Sequence, residues 1–141
     1  MTRREKFRQI TIDEIKSIAR LQMAEGGTAS LSLNAIARQM GMSGPALYRY
    51  FENRDALLTA LIVDAYQDLA AALEETAARF ADQTARQCLK QVLLTYRRWA
   101  LDHPVDFQLI FGNPIPGYQA EEALTAPSAG KVFAPILGIL E

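Results

Sequence analysis

Residues 33–51, LNAIARQMGMSGPALYRYF, decide how this chain reads. Ser32 stands where a hydroxyl would cap a first helix, and Leu33, Ile36, Ala37 and Met40 repeat at helical spacing behind it. Gly41 stops that helix, Ser43 caps a second, and Pro45 fits the first turn of that second helix, where no intrahelical N–H bond is lost. Leu47, Tyr50 and Phe51 fall on one face at i, i+3 and i+4, facing Ile36 and Met40. The opposite face carries Gly44, Pro45, Tyr48 and Arg49. Two short helices around a tight turn, with a Tyr and an Arg projecting from the second, form a helix-turn-helix whose second helix is shaped for the major groove of DNA.

Moving outward, apolar residues recur at helical spacing nearly throughout and no period-2 alternation is sustained, so the chain reads as all-α. A capping box at Thr11-Ile12-Asp13-Glu14 predicts the start of the first helix, which Gly26-Gly27 ends. Asn53 caps a long fourth helix running to about Phe80, and a fifth runs from about Thr84 to Leu101. His103-Pro104 forces a break, because the residue before proline avoids the α region. A short helix over 105–111 ends at Gly112, residues 113–117 form a rigid loop, and a last helix is expected to begin near Ala129. The organisation expected is a three-helix DNA-binding domain over 1–53, joined by a long helix to a helical effector-binding and dimerisation domain over 54–141.

Composition narrows the function. The chain has 141 residues, half of them hydrophobic, which suffices for one domain or two small helical ones. No apolar run approaches the ~18–20 residues of a membrane span, and the charged N-terminus has no apolar stretch behind it, so neither a membrane partner nor secretion is expected and a cytoplasmic location is. One Cys and one His exclude a disulfide framework and a metal cluster. No nucleophile–base arrangement or Gly-rich phosphate loop stands at recognisable spacing, so no enzyme and no cofactor are expected. The net charge of −1 hides an asymmetry: residues 1–54 hold nine Lys/Arg against five Asp/Glu, and the remainder holds six against eleven. A basic end joined to an acidic remainder fits a nucleic-acid end and a non-DNA end.

Within the basic end, Arg49 can donate a bidentate pair to guanine or bind phosphate. The Tyr48 hydroxyl can reach phosphate and its ring a thymine methyl, while Gly44 and Ala46 are small enough to let the backbone approach the groove. Ser32, Ser43 and Arg54 sit at helix starts, where free N–H groups favour phosphate, and Asn34 can reach a base edge. The candidate DNA-binding residues are completed by Pro45 and Tyr50. Taken alone, a Tyr and an Arg on a helix surface are more often simply solvated. Arg3, Arg4, Lys6 and Arg8 read either as an arm along the minor groove or backbone, or as a solvated tail.

Gly41-x-Ser43-x-x-Ala46-Leu47-Tyr48-x-Tyr50-Phe51, followed by Asn53-Arg54-Asp55-x-Leu57-Leu58, closely resembles the signature of the TetR family of bacterial transcriptional repressors, over about residues 9–62. The family usually has His where this chain has Tyr50, and Gly44-Pro45 is unusual at positions that often read bases, which shifts weight to Arg49, Tyr48 and Asn34. The stretch from Trp99 through His103 and Gly112 to Tyr118 resembles the effector domain of a TetR subgroup named for its Trp, His and Gly. The resemblance implies a two-fold homodimer on double-stranded, palindromic operator DNA, with half-sites about 34 Å apart or multiples of that. It also implies a small-molecule effector, bound among helices four to seven, that releases DNA.

The implied effector lining is Tyr66, Cys88, Tyr96, Trp99, His103, Phe107 and Phe111, an aromatic-rich wall suited to an apolar or aromatic ligand. The same aromatics at helical spacing serve equally as core, Cys88 as a small buried hydrophobe, and His103 as a cap on the broken helix. Family members are longer and dimerise through two C-terminal helices, so the chain is expected to be incomplete at its C-terminus. The competing function is an all-helical small-molecule or partner-binding protein without specific DNA binding.

Overall fold

The computed structural model describes residues 1–141. It contains seven α-helices and no strand: α1 (Arg3–Gly26), α2 (Leu33–Gln39), α3 (Gly44–Tyr48), α4 (Arg54–Arg79), α5 (Ala85–Asp102), α6 (Pro104–Phe111) and α7 (Glu122–Leu140), with a 3₁₀ turn at Thr28–Ser30. The chain forms two compact units. One is Met1–Leu58 with Pro114–Gln119, and the other is Thr59–Asn113 with Ala120–Glu141. The division falls inside α4, after Leu58, and residues 114–119 join the first unit.

In the first unit, α1 begins nine residues earlier than the sequence suggests, capped by Thr2 and not by Thr11. Thr2 and Glu5, not Thr11 and Glu14, form the capping box: the Thr2 hydroxyl accepts from the Glu5 N–H, and the Glu5 carboxylate accepts from the Thr2 N–H at 2.8 Å. The Thr11 hydroxyl instead donates to the Phe7 carbonyl at 3.0 Å, as a threonine inside a helix does. The basic N-terminal residues therefore belong to a helix and are neither an extended arm nor a loose tail. Local capping chemistry fits both sites, and the unbroken run of good helix formers before Thr11 favours the earlier one. The core of the unit collects Ile15 and Ala19 of α1, Ile36 of α2, Leu47 of α3 and Leu57 and Leu58 of α4.

In the second unit, α5 starts on a second capping box, Thr84 with Gln87, and ends where His103 takes φ −128° and ψ 62° before Pro104. Leu69 and Leu73 of α4, Val92 and Trp99 of α5 and Val132 of α7 form its core. Helix α7 starts at Glu122, seven residues before the expected Ala129, and runs through Pro127 and Pro135. Each proline removes one N–H and crowds the carbonyl four residues back. The helix persists because Ser128 and Val132 are buried while α7 packs on α5.

Two helices, α4 and α7, are long and apolar enough to cross a membrane by length and composition. The sequence expectation looked for an uninterrupted apolar run and missed them, because a few charges interrupt both segments without cancelling their average. Half of the α4 window is buried inside the protein, as a core helix requires.

Candidate functional site

The turn between α2 and α3 is a Schellman motif. Met42 N–H donates to the Ala37 carbonyl at 2.8 Å and Gly41 N–H to the Arg38 carbonyl at 3.2 Å, while Gly41 adopts φ +67°. Only a residue without Cβ takes that conformation at little cost. Ser43 then caps α3, its Oγ accepting from Ala46 N–H at 3.3 Å. Leu47 is completely buried, and that anchoring fixes which way the rest of α3 faces.

The helical conformation of α3 ends at Tyr48, three residues short of the Phe51 expected from the periodicity. Arg49 is its C-cap, and Phe51 keeps one N–H bond to the Leu47 carbonyl at 3.3 Å as its ring turns into the core. Tyr48 is 43% exposed and Arg49 is exposed beside it. Asn34 on α2 is exposed too, and a Cβ placed on Gly44 would lie 3.9 Å from its Oδ1. The starts of α2 and α3 therefore meet. Pro45 and Ser43 are exposed, while Ser32, Gly44 and Ala46 are half-buried.

Two predicted DNA contacts are engaged within the unit. Tyr50 is half-buried with the Arg8 guanidinium 5.0 Å from its ring centroid, a cation–π contact. Arg54 donates from Nη1 to the Pro116 carbonyl at 3.4 Å.

Sequence reading missed Gln22. Its side-chain carbonyl accepts from Ser32 N–H at 3.1 Å and its amide donates to the Ser32 carbonyl at 3.4 Å, so it clamps the cap of α2 from α1. Neither Gln22 nor Arg8 carries a local signal, because each partner lies ten or more residues away and only packing pairs them.

Most of the predicted effector residues come together in the second unit. Phe107 and Phe111 have ring centroids 5.3 Å apart, Tyr96 lies 5.9 Å from Phe111 and 6.5 Å from Phe107, and Tyr66 meets Phe111 edge-on at 6.4 Å. The Tyr66 hydroxyl donates to the Ile110 carbonyl at 3.4 Å, and burial pushes its pKa above the ordinary 10.0.

Trp99 and His103 form a second group. Their rings stack at 5.1 Å, Trp99 Nε1 donates to Asp68 Oδ2 at 2.8 Å, and His103 Nε2 lies 3.8 Å from that same oxygen. Asp68 is the residue the sequence did not announce. His103 Nδ1 also reaches the Trp99 carbonyl at 3.0 Å, which closes the end of α5. Cys88 stands apart, buried near Ala77, Pro135 and Ile139, with Sγ 3.8 Å from the Ala77 carbonyl.

Comparison with known proteins places this geometry. The model of the bacterial regulatory proteins of the tetR family matches residues 15–61, and that of the tetracyclin repressor-like C-terminal domain matches residues 89–141. The chain belongs to the TetR family. It is 41% identical over 123 residues to the HTH-type transcriptional regulator Rv1816 of Mycobacterium tuberculosis (strain ATCC 25618 / H37Rv), covering 84% of this chain and 51% of that protein. Among solved structures, SCO4313, described as a regulatory protein, aligns with TM-score 0.88 and 46% identity over 98% of this chain and 64% of that one. A Rhodococcus sp. RHA1 protein of unknown function aligns with TM-score 0.75 and 28% identity, over 91% of this chain and 64% of that one. The chain thus spans about half the length of the curated relatives it matches. Those relatives are named as transcriptional regulators rather than enzymes.

Proposed function

We propose that this protein is a ligand-responsive DNA-binding transcriptional repressor in the cytoplasm that binds a palindromic operator as a homodimer. The observation that carries the reading is the exposure of Tyr48 and Arg49 at the end of α3 and of Asn34 beside its start, on a helix pair locked by Gly41 and Leu47. Arg49 reads a guanine edge or grips phosphate, Tyr48 reaches phosphate or a thymine methyl, and Gly44, Pro45 and Ala46 let the α3 backbone approach the groove. Ser32 and Ser43 offer hydroxyls to the flanking phosphates. Tyr50 and Arg54 serve as supports for the interface more than as direct contacts, since Arg8 and Pro116 already engage them.

The effector in this reading is a small apolar or aromatic molecule that inserts among Tyr66, Tyr96, Phe107 and Phe111. Its higher affinity for the released state shifts the population away from DNA, with α4 as the mechanical link that changes the spacing of the two recognition helices. The DNA-binding domain corresponds to residues 1–53 and the effector and dimerisation domain to residues 54–141.

Selection of random duplexes against the protein, followed by sequencing, tests the core of this reading. An enriched palindrome is expected. Absence of enrichment at low salt, where electrostatic binding is strongest, would overturn it in favour of a helical ligand-binding protein.

A further inference from the structure

The second unit carries a groove whose lining includes none of the four clustered aromatic residues. One wall is a stripe of α4 at i, i+3, i+4 and i+7, formed by Ala72, Glu75, Thr76 and Arg79, with Phe80 in the turn that follows. The facing stripe of α5 at i, i+3, i+4 and i+7 is Gln91, Leu94, Thr95 and Arg98, with Arg97 at the rim. The groove holds about 460 Å³, within the range of small-molecule sites.

Its floor is polar and ordered. Thr76, only 6% exposed, donates its hydroxyl to the Ala72 carbonyl at 3.0 Å, so the 2.8 Å contact with Thr95 is made by the Thr95 hydroxyl donating to Thr76 Oγ1. The rim is cationic. Arg79 pairs with Glu75 at 2.9 Å, whereas Arg97 and Arg98 form no ion pair.

Charge distribution makes this arrangement unusual for the chain. Residues 55–141 hold six Lys/Arg against eleven Asp/Glu, yet three of those six basic residues line this one groove against a single carboxylate. Surface arginines are ordinarily dispersed and solvated. Here two unpaired guanidinium groups stand over a concavity whose walls also supply the Phe80 ring and the half-exposed Leu94.

We infer that this α4–α5 groove binds a small amphipathic carboxylate, its head held by Arg97 and Arg98 and its alkyl or aryl body laid against Leu94 and Phe80. The planar fork of arginine matches a carboxylate in bidentate geometry. Glu75 is already paired with Arg79, which leaves Arg97 and Arg98 to hold the anionic head.

Titration calorimetry of the protein with decanoate and with 4-phenylbutyrate tests the inference, with decanol and decyl phosphate as comparators and amide NMR shifts as a map. Saturable one-to-one binding of both carboxylates is expected, with shifts centred on Thr76, Leu94 and Thr95 and weaker binding of decanol, whereas tighter binding of decyl phosphate than of decanoate would assign a phosphate ligand and overturn the carboxylate. Arg97→Gln and Arg98→Gln together, at exposed positions that leave the fold intact by circular dichroism, should weaken carboxylate binding about 10- to 100-fold, the loss of charge-assisted hydrogen bonds. Arg86→Gln, outside the groove, should leave it unchanged.

Equal affinity for decanol, wild-type affinity in the double variant, or no carboxylate binding overturns the site. Loss of duplex DNA binding in the double variant without carboxylate binding would assign the arginines to phosphate contacts and also overturn it. The direct binding readout is independent of whether the protein recognises an operator.

Discussion

Arg49 and Tyr48 follow Leu47, whose complete burial turns them to the exposed side. In the proposed interface, Arg49→Ala should cost about 1–3 kcal/mol per half-site and relax specificity at one base pair if the guanidinium reads guanine. Operator titrations across salt concentration check this: a uniform loss that merely lowers the salt slope would place Arg49 on phosphate instead. Gly44 and Gly41 should behave oppositely when changed to Ala. A Cβ at Gly44 meets nothing closer than 3.9 Å, so Gly44→Ala should fold normally, and any loss of DNA affinity would report groove approach. Gly41→Ala places a Cβ at φ +67° and should destabilise by about 1–2 kcal/mol in denaturant titration. Tyr66 supplies a pH signature. Because burial raises its pKa, the folded state holds the proton more tightly than the unfolded chain does. Stability is therefore unaffected below about pH 10 and falls as pH rises from there to the raised value. Tyr66→Phe should remove that part of the alkaline slope.

Element by element, the starts of α2, α3, α4 and α5 were legible because each rests on one capping side chain acting within three residues: Ser32, Ser43, Asn53 and Thr84. Thr84→Ala should accordingly cost about 0.5–2 kcal/mol in thermal unfolding, because it removes the hydroxyl that accepts from Gln87 N–H, while the backbone N–H of residue 84 can still donate to the Gln87 side chain. The ends that local chemistry misplaced were those under competing or long-range control. Two capping boxes compete for the start of α1, and the one at Thr2 is used. Helix α3 stops at Tyr48 while Phe51 still turns inward, a choice made by the hydrophobic core and not by periodicity. Helix α7 passes Pro127 and Pro135, which local rules treat as stops, because its buried stripe offsets the lost backbone bonds.

At the scale of the molecule, Trp99 is the single tryptophan and lies 5% exposed in the second unit, so its fluorescence reports that unit alone. Asp68→Ala removes the acceptor of its indole N–H and should lower the fluorescence-detected unfolding free energy by about 1 kcal/mol. That is the low end for a lost buried partner, since the Asp68 side chain is 59% exposed and water can substitute. By itself the sequence determined the all-α class, the helix-turn-helix with its Gly41 stop and Ser43 cap, and the face on which Tyr48 and Arg49 stand. Those features follow from interactions spanning three or four residues. Only the tertiary structure decided that Gln22 clamps Ser32, that Arg8 covers Tyr50, that Asp68 holds Trp99 and that Arg79, Arg97 and Arg98 share a groove. Each of these brings together residues from separate segments of the chain, and side chains that meet only when apolar stripes pack leave no mark in its local order.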